Sequence, residues 1–292
     1  MTAISTSLKP RPDRPLDPLS LAVIVEIQQA AETLGMPVFV IGAAARIILL
    51  ENVHGLHAGR ATTDVDIAFA VDDWTQFEQL KAAMLANARF HASERLAHRL
   101  HFRAVESAHA YQVDLIPFGG IETNLNMIAW PPDMAIMMNV AGFRDALAAA
   151  VGVEASPGLR IAVASLPGIA MLKLFAWADR RQENPKDALD LLTLMRSYHE
   201  AGNEHRIYED ASALAVLEAV DYDPELVGAW LLGHDVSSMA SVETLAGIKA
   251  LLKGDPTNNR LIKDMSRAMS GRHDAIVHAR RLHELFTKGL NA

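Results

Sequence analysis

The chain contains no cysteine, which excludes a disulfide framework and any thiolate-ligated zinc centre. It also lacks an uninterrupted apolar run of the roughly 20 residues that a membrane helix needs. Residues 1–18 are broken by Pro10, Pro12, Pro15 and Pro18 and hold no apolar segment of the secretory kind. The expectation is a cytoplasmic protein with no membrane partner. Basic surplus is missing as well. The 27 Lys and Arg residues stand against 35 Asp and Glu, a net charge of −8, which argues against broad nucleic-acid binding driven by phosphate neutralisation. No Gly-x-Ser-x-Gly elbow is present for a serine nucleophile. His91, His98, His101 and His109 have no metal-binding spacing, and no segment repeats at a fixed period.

What is present is a chain of 292 residues, half of them apolar, long enough for two domains and a full core. Apolar spacing predicts a helix from Ser20 to Leu34 and another from Trp74 to Asn87, the latter capped by Asp72 or Asp73. Strands are expected at 37–41, 64–71, 99–105 and 111–116, forming a mixed sheet, with 99–105 and 111–116 as a hairpin about residues 106–110. Pro117, Gly119, Gly120, Pro131 and Pro132 break regular structure over 117–140, apart from a short strand near 136–140. A further strand is expected at 160–164, then helices from Ser165 to Arg181 and from Lys186. Beyond about 202 the pattern is helical at 207–220, 224–232, 241–252 and 259–290. Polar breaks are expected at Asp235-Val236-Ser237-Ser238 and Lys253-Gly254-Asp255-Pro256.

Three acidic residues stand out because they lie on apolar strands. Asp64 and Asp66 occur in Arg60-Ala61-Thr62-Thr63-Asp64-Val65-Asp66-Ile67, and Asp114 occurs in Val113-Asp114-Leu115-Ile116. Residues two apart on a strand share a face, so Asp64 and Asp66 point the same way. Gathered carboxylates repel and cost several kcal/mol to desolvate, in order of magnitude, unless a cation neutralises them. An all-oxygen set suits Mg²⁺ or Mn²⁺ accompanied by substrate phosphate. Upstream, the apolar strand Val38-Phe39-Val40-Ile41 breaks at Gly42 into Ala43-Ala44-Ala45-Arg46. Backbone N–H groups at such a helix start can receive phosphate oxygens.

In these features the chain resembles the nucleotidyltransferases of the DNA polymerase β superfamily. The Arg60-x-Thr62-x-Asp64-x-Asp66 form is most similar to the AbiEii-like toxin branch and its bacterial relatives. Lys173…Arg180 and Lys186-Asp187-x-x-Asp190-Leu191 resemble that branch's later helices. The resemblance implies an α+β fold: a mixed β-sheet nucleotidyltransferase core with flanking helices over 19–200, a loose arm at 1–18, and a helical accessory domain at 201–292. It implies transfer of an NMP unit from an NTP, with Mg²⁺ or Mn²⁺ held by Asp64, Asp66 and Asp114. Two cations about 3.5–4 Å apart would then serve the attacking and leaving oxygens. Gly42 and Ala43 would hold phosphate, Lys173 or Arg60 would add positive charge, and Thr62 and Asp187 would line the nucleotide site. Arg60 bracing the Asp pair is an equal alternative.

The implied partners are an antitoxin protein and a tRNA or other RNA acceptor. Lys249, Lys253, Arg260, Lys263, Arg267, Arg272, Arg280, Arg281 and Lys288 stand in 249–288 against Asp255, Asp264, Asp274 and Glu284, a pattern that fits either an RNA-facing surface or solvated helix faces. Superfamily members usually follow the glycine with Ser or Gly, whereas here Ala43 and Ala44 follow Gly42. A protein of this fold that binds a nucleotide or a partner without chemistry is therefore the alternative reading.

Overall fold

The computed structural model describes residues 7–103, 110–123, 126–254, 260–269 and 271–292. His109, residues 106–109 of the expected hairpin turn and Asp255-Pro256 of the expected stop lie outside them. The chain divides into two compact units, residues 1–53 with 60–165, and residues 54–59 with 166–292. No described helix is long and apolar enough to cross a membrane.

The first unit is built on a mixed sheet. It contains β1 (Ser7–Leu8), α1 (Pro18–Thr33), β2 (Val38–Ile41), α2 (Gly42–Ile47), a π-helical turn (Ile48–Val53), β3 (Asp64–Val71), α3 (Trp74–Leu85), β4 (Phe90–Ala92), β5 (Arg99–Phe102), β6 (Tyr111–Gly119), β7 (Met127–Trp130), β8 (Ile136–Asn139), α4 (Phe143–Ala148), β9 (Val151–Ser156) and β10 (Leu159–Val163). Among the described residues the main sheet has the order β1-β9-β10-β2-β3-β6-β5-β4, and β7 and β8 form a separate hairpin. β3 and β6 run parallel at its centre, β2 is antiparallel to β3, and β5 is antiparallel to β6. A mixed sheet with flanking helices is therefore what the apolar periodicity encodes.

Local chemistry explains the element boundaries. Asp17 accepts from Ser20 N at 2.7 Å and Pro18 opens α1, a capped start with Pro where no N–H is needed. Asp73 accepts from Gln76 N at 2.9 Å, and the Gln76 side chain accepts in return from Asp72 N at 2.8 Å, a reciprocal cap. Strand β6 continues through Pro117, where a break was expected. Its pairing with β5 ends at Asp114, while pairing with β3 continues to Gly119, so Pro117 needs a sheet partner on one side only. The strands pack an aromatic core, with Phe39 edge-on to Phe118 at 6.1 Å and Phe69 stacked on Phe77 at 5.9 Å. Residues 7–18 are tied to this unit. Ser7–Leu8 pair with β9, Arg11 N donates to Asn52 O at 2.7 Å, and the Asn52 amide donates to the carbonyls of Arg14 and Pro15.

The second unit is helical: α5 (Leu166–Arg180), α6 (Lys186–Ser197), α7 (Glu204–Glu209), α8 (Ala211–Ala219), α9 (Pro224–Met239), α10 (Val242–Gly254), α11 (Arg260–Ser266) and α12 (Ala275–Gly289). Glycines let α9 and α12 touch backbone to backbone. A Cβ at Gly233 would lie 2.1 Å from Phe286 O, and one at Gly289 would lie 2.0 Å from Trp230 O. α9 runs straight through Asp235-Val236-Ser237-Ser238, correcting the expected break. The hydroxyls of Ser237 and Ser238 donate back to His234 O at 2.8 and 3.0 Å, and Asp235 receives both arms of Arg206 at 2.6 and 2.7 Å and the Tyr198 hydroxyl at 2.5 Å. Tertiary partners thus stabilise polar residues that in isolation favour turns.

Burial raises the Asp235 carboxyl, but the hydrogen bonds from Arg206 and Tyr198 outweigh it and hold the group below its ordinary value of 3.8. A carboxyl depressed in the fold contributes stability that is complete above its unfolded value and is lost as pH falls through the lower folded value. Asp235→Asn should therefore be less stable than the parent at neutral pH, with the gap closing as pH drops below 3.8. Thermal unfolding of both proteins across roughly pH 2 to 7 checks this; a gap that does not change with pH contradicts it.

Candidate active site

The sheet register assembles the acidic residues. Ile41 of β2 is the partner of Asp66 on β3, and Asp66 is the partner of Asp114 on β6. Partners in register on adjacent strands project to the same face, and Asp64 joins them two residues along. Asp64, Asp66 and Asp114 thus occupy one face of the central strands, directly beside the β2–α2 turn. Their apolar neighbours Val65, Ile67, Val113 and Leu115 are buried on the other face. This alternation is why three carboxylates fit a strand pair that is otherwise core.

The turn at Gly42 is shaped around this face. Gly42 has φ +68°, a left-handed conformation that glycine adopts without penalty. A Cβ there would lie 2.1 Å from Asp66 Oδ2. The cap residue of α2 is Ile41, which has no side-chain oxygen to accept from the first-turn N–H groups. Ala43 and Ala44 are buried. Arg46 of α2 is fully buried, and its Nη2 donates to Arg60 O at 3.1 Å. It therefore ties the helix to the segment that leads into β3. Within that segment the Thr62 hydroxyl donates to Asp64 Oδ1. The backbone carbonyl of Arg60 is thus a fixed point, while the residue itself is exposed.

Arg99 on β5 is the residue the sequence reading missed. It lies directly opposite Asp114 in the antiparallel register, and its Nε and Nη2 donate to the two Asp114 oxygens at 2.7 Å each. The hydrogen bonds it donates to Asp114 raise the pKa of its guanidinium, and the charges of Asp114, Asp64 and Asp66 add to the effect. The run Arg99-Leu100-His101-Phe102 alternates half-buried and buried residues, but nothing in it identifies the carboxylate opposite. Pairing register across the hairpin decides that.

Lys173 and Asp187 are brought together in the second unit. Lys173 Nζ lies 2.9 Å from Asp187 Oδ1 and 2.7 Å from Asp190 Oδ2, and Arg180 Nη2 donates to Asp187 Oδ2 at 2.9 Å. Lys173, Asp187 and Asp190 are all buried. This network joins α5 to α6, and in it the lysine is a shared counter-charge for two acids. Asp190 was legible as part of the spacing Lys186-Asp187-x-x-Asp190, and one helical turn places both acids on the side that meets Lys173.

The Nucleotidyl transferase AbiEii toxin, Type IV TA system family matches residues 48–276. The chain belongs to this family. It is accordingly a transferase of nucleotidyl groups with a nucleotidyltransferase fold. Among solved structures, an antigenic nucleotidyltransferase-like protein from Paracoccidioides brasiliensis is 16% identical, with 70% of this chain and 94% of that one covered and a TM-score of 0.41. The antibiotic-resistance factor ANT(2")-Ia in complex with adenylyl-2"-tobramycin is 15% identical, with 69% and 96% covered and a TM-score of 0.35. The Thermotoga maritima CCA-adding enzyme complexed with tRNA is 11% identical, with 94% and 82% covered and a TM-score of 0.25. No curated protein matches the chain.

The family implies a divalent cation, and the donor set bears on its fit. Asp64 and Asp66 offer hard oxygen ligands beside a turn that has no Cβ, which suits an Mg²⁺ or Mn²⁺ ion sharing its shell with phosphate oxygens and water. Asp114 directs both oxygens at Arg99, and among the described residues no group of three His, Cys, Asp or Glu is arranged to hold a metal. The pair at 64 and 66 fits an ion that arrives with its nucleotide.

Two substitutions test these arrangements. Gly42→Ala forces a left-handed backbone costing about 1–2 kcal/mol and drives a methyl into the Asp66 carboxylate. A lowered melting temperature together with lost nucleotide binding is expected, and unchanged binding by calorimetry contradicts it. Lys173→Met removes the cation shared by two buried acids and should destabilise the protein by about 3–5 kcal/mol in denaturant titrations; a loss under about 1 kcal/mol would show that the network is dispensable.

Proposed function

We propose that the protein moves an NMP unit from an NTP to the hydroxyl of an RNA acceptor, tRNA or another RNA, in a divalent-metal-dependent reaction, acting as the toxin of a pair whose antitoxin is a protein partner. The observation that carries the transfer is the register placing Asp64, Asp66 and Asp114 on one face beside Gly42. Family membership supports the pairing with an antitoxin. The acceptor is supported by Lys253, Lys263, Arg280, Arg281 and Lys288, which are exposed in the second unit. Arg260 and Arg267 of the same segment are paired with the buried Asp264, and Arg272 is paired with Asp274, so part of the basic stretch is structural.

In this reading Asp64 and Asp66 hold Mg²⁺ or Mn²⁺, which when bound neutralises phosphate charge and polarises the α-phosphoryl group. Thr62 fixes Asp64 by its hydroxyl, so this carboxylate is oriented before substrate arrives. The amides of Gly42 and Ala43 receive phosphate oxygens of the nucleotide. Each Asp114 oxygen keeps a second lone pair after accepting from Arg99, and the acceptor's hydroxyl donates to it. Attack forms the bond between the acceptor oxygen and the α-phosphorus and breaks the α–β phosphoanhydride. Pyrophosphate leaves, and the hydroxyl proton passes to Asp114. Arg60 adds positive charge near Asp64, or braces the Asp pair. Lys173 and Asp187 contribute by fixing α5 against α6.

Incubation of the pure protein with each NTP, Mg²⁺ and bulk cellular RNA, followed by mass spectrometry, should reveal an RNA carrying an added NMP. Asp64→Asn should lower that product by at least about a hundredfold, the scale of losing one electrostatic stabiliser. Robust transfer by the variant removes the mechanism, and nucleotide binding with no adduct on any RNA removes the acceptor.

A further inference from the structure

The pair Arg99–Asp114 is built more firmly than a surface ion pair. Both N–H···O distances are 2.7 Å, the fork is bidentate, and the side chains are only 26% and 12% exposed. Such charge-assisted, two-point contacts are short and directional, and partial burial limits screening. The geometry needs no reach, because the two residues are direct partners across antiparallel strands. Asp66 is in turn the direct partner of Asp114, so the guanidinium belongs to the same acidic face. Both Asp114 oxygens therefore face a fixed positive charge, which repels a further cation from the same oxygens.

We infer that Arg99 is a resident cation that stands in for a second metal ion at Asp114, so that the site operates with one divalent ion, the one held with the NTP by Asp64 and Asp66. The inference rests on the transfer reading above and replaces the pair of cations that the family resemblance implies. A guanidinium fixed to the strand has no open coordination position. It cannot activate the acceptor hydroxyl as a metal does, but it holds Asp114 in place to orient that hydroxyl. Arg99 is therefore a positioning residue. An arginine serves here where a lysine would not, because only the planar fork meets both carboxylate oxygens at once.

The test counts protein-bound Mn²⁺ by electron paramagnetic resonance at saturating α,β-methylene NTP, which cannot be turned over. The parent protein should bind one ion per chain, and Arg99→Met should bind two, since both oxygens of Asp114 are then released to a cation. Asp114→Asn should still bind one, because Asp114 is not a ligand of that ion; this variant carries the test if Arg99→Met does not fold. Two ions in the parent, one ion in a folded Arg99→Met, or loss of the ion in Asp114→Asn each overturn the inference while leaving the transfer reading intact. No ion in the parent overturns that reading and the inference with it.

Discussion

The parallel pairing of β3 with β6 is the constraint on which the candidate site depends. It aligns Asp66 with Asp114, and the antiparallel pairing with β2 then sets Ile41, and so the Gly42 turn, against Asp66. A slip of one residue in either ladder would turn every side chain of the shifted strand to the other face. The carboxylates would enter the core, and Val65, Ile67 and Val113 would face outward. Burial of those apolar residues therefore fixes the acidic face as firmly as any polar contact does. The same ladder, extended to β5, brings Arg99 to Asp114.

Opposing charge is handled differently in the two units. In the first, three acids share a partly open face, and Arg99 pairs with Asp114 among them. In the second, Lys173 with Asp187 and Asp190 place charges where solvent barely reaches, and Arg206 with Asp235 and Tyr198 form a half-buried cluster. Such pairs add little net stability over apolar packing, but removing one partner is costly. They act as registration devices between helices, complementing the glycine contacts that set the approach of α9 and α12.

Legibility in the sequence followed how local the deciding interaction was. β3 and β6 were legible because apolar residues flank the acids along them, and β2 because Val38 to Ile41 is an unbroken apolar run that ends at Gly42. α1 was legible from its apolar spacing, although its start at Pro18 precedes the expected Ser20, and α3 was legible because Asp73 marks its start. β9 was missed: Gly152 sits in it because the Arg160 side chain crosses that position, where a Cβ would lie 1.9 Å from Arg160 Nε, and a glycine reads as a strand breaker. β4 is three residues long at the sheet edge, too short for a pattern. The continuation of α9 past Asp235 depended on Arg206, twenty-nine residues away.

By itself the sequence determined the types of element, the acids that interrupt apolar strands, the glycine before α2 and membership in a nucleotidyltransferase family. These are matters of residue type and short spacing, which local backbone preferences and alternation translate directly. Only the tertiary structure decided that Asp114 stands beside Asp66, that Arg99 answers Asp114, and that Lys173 is shared by two buried acids. Each of those facts depends on pairing between segments distant along the chain. That pairing is set by how the whole core packs, and no window of neighbouring residues contains it.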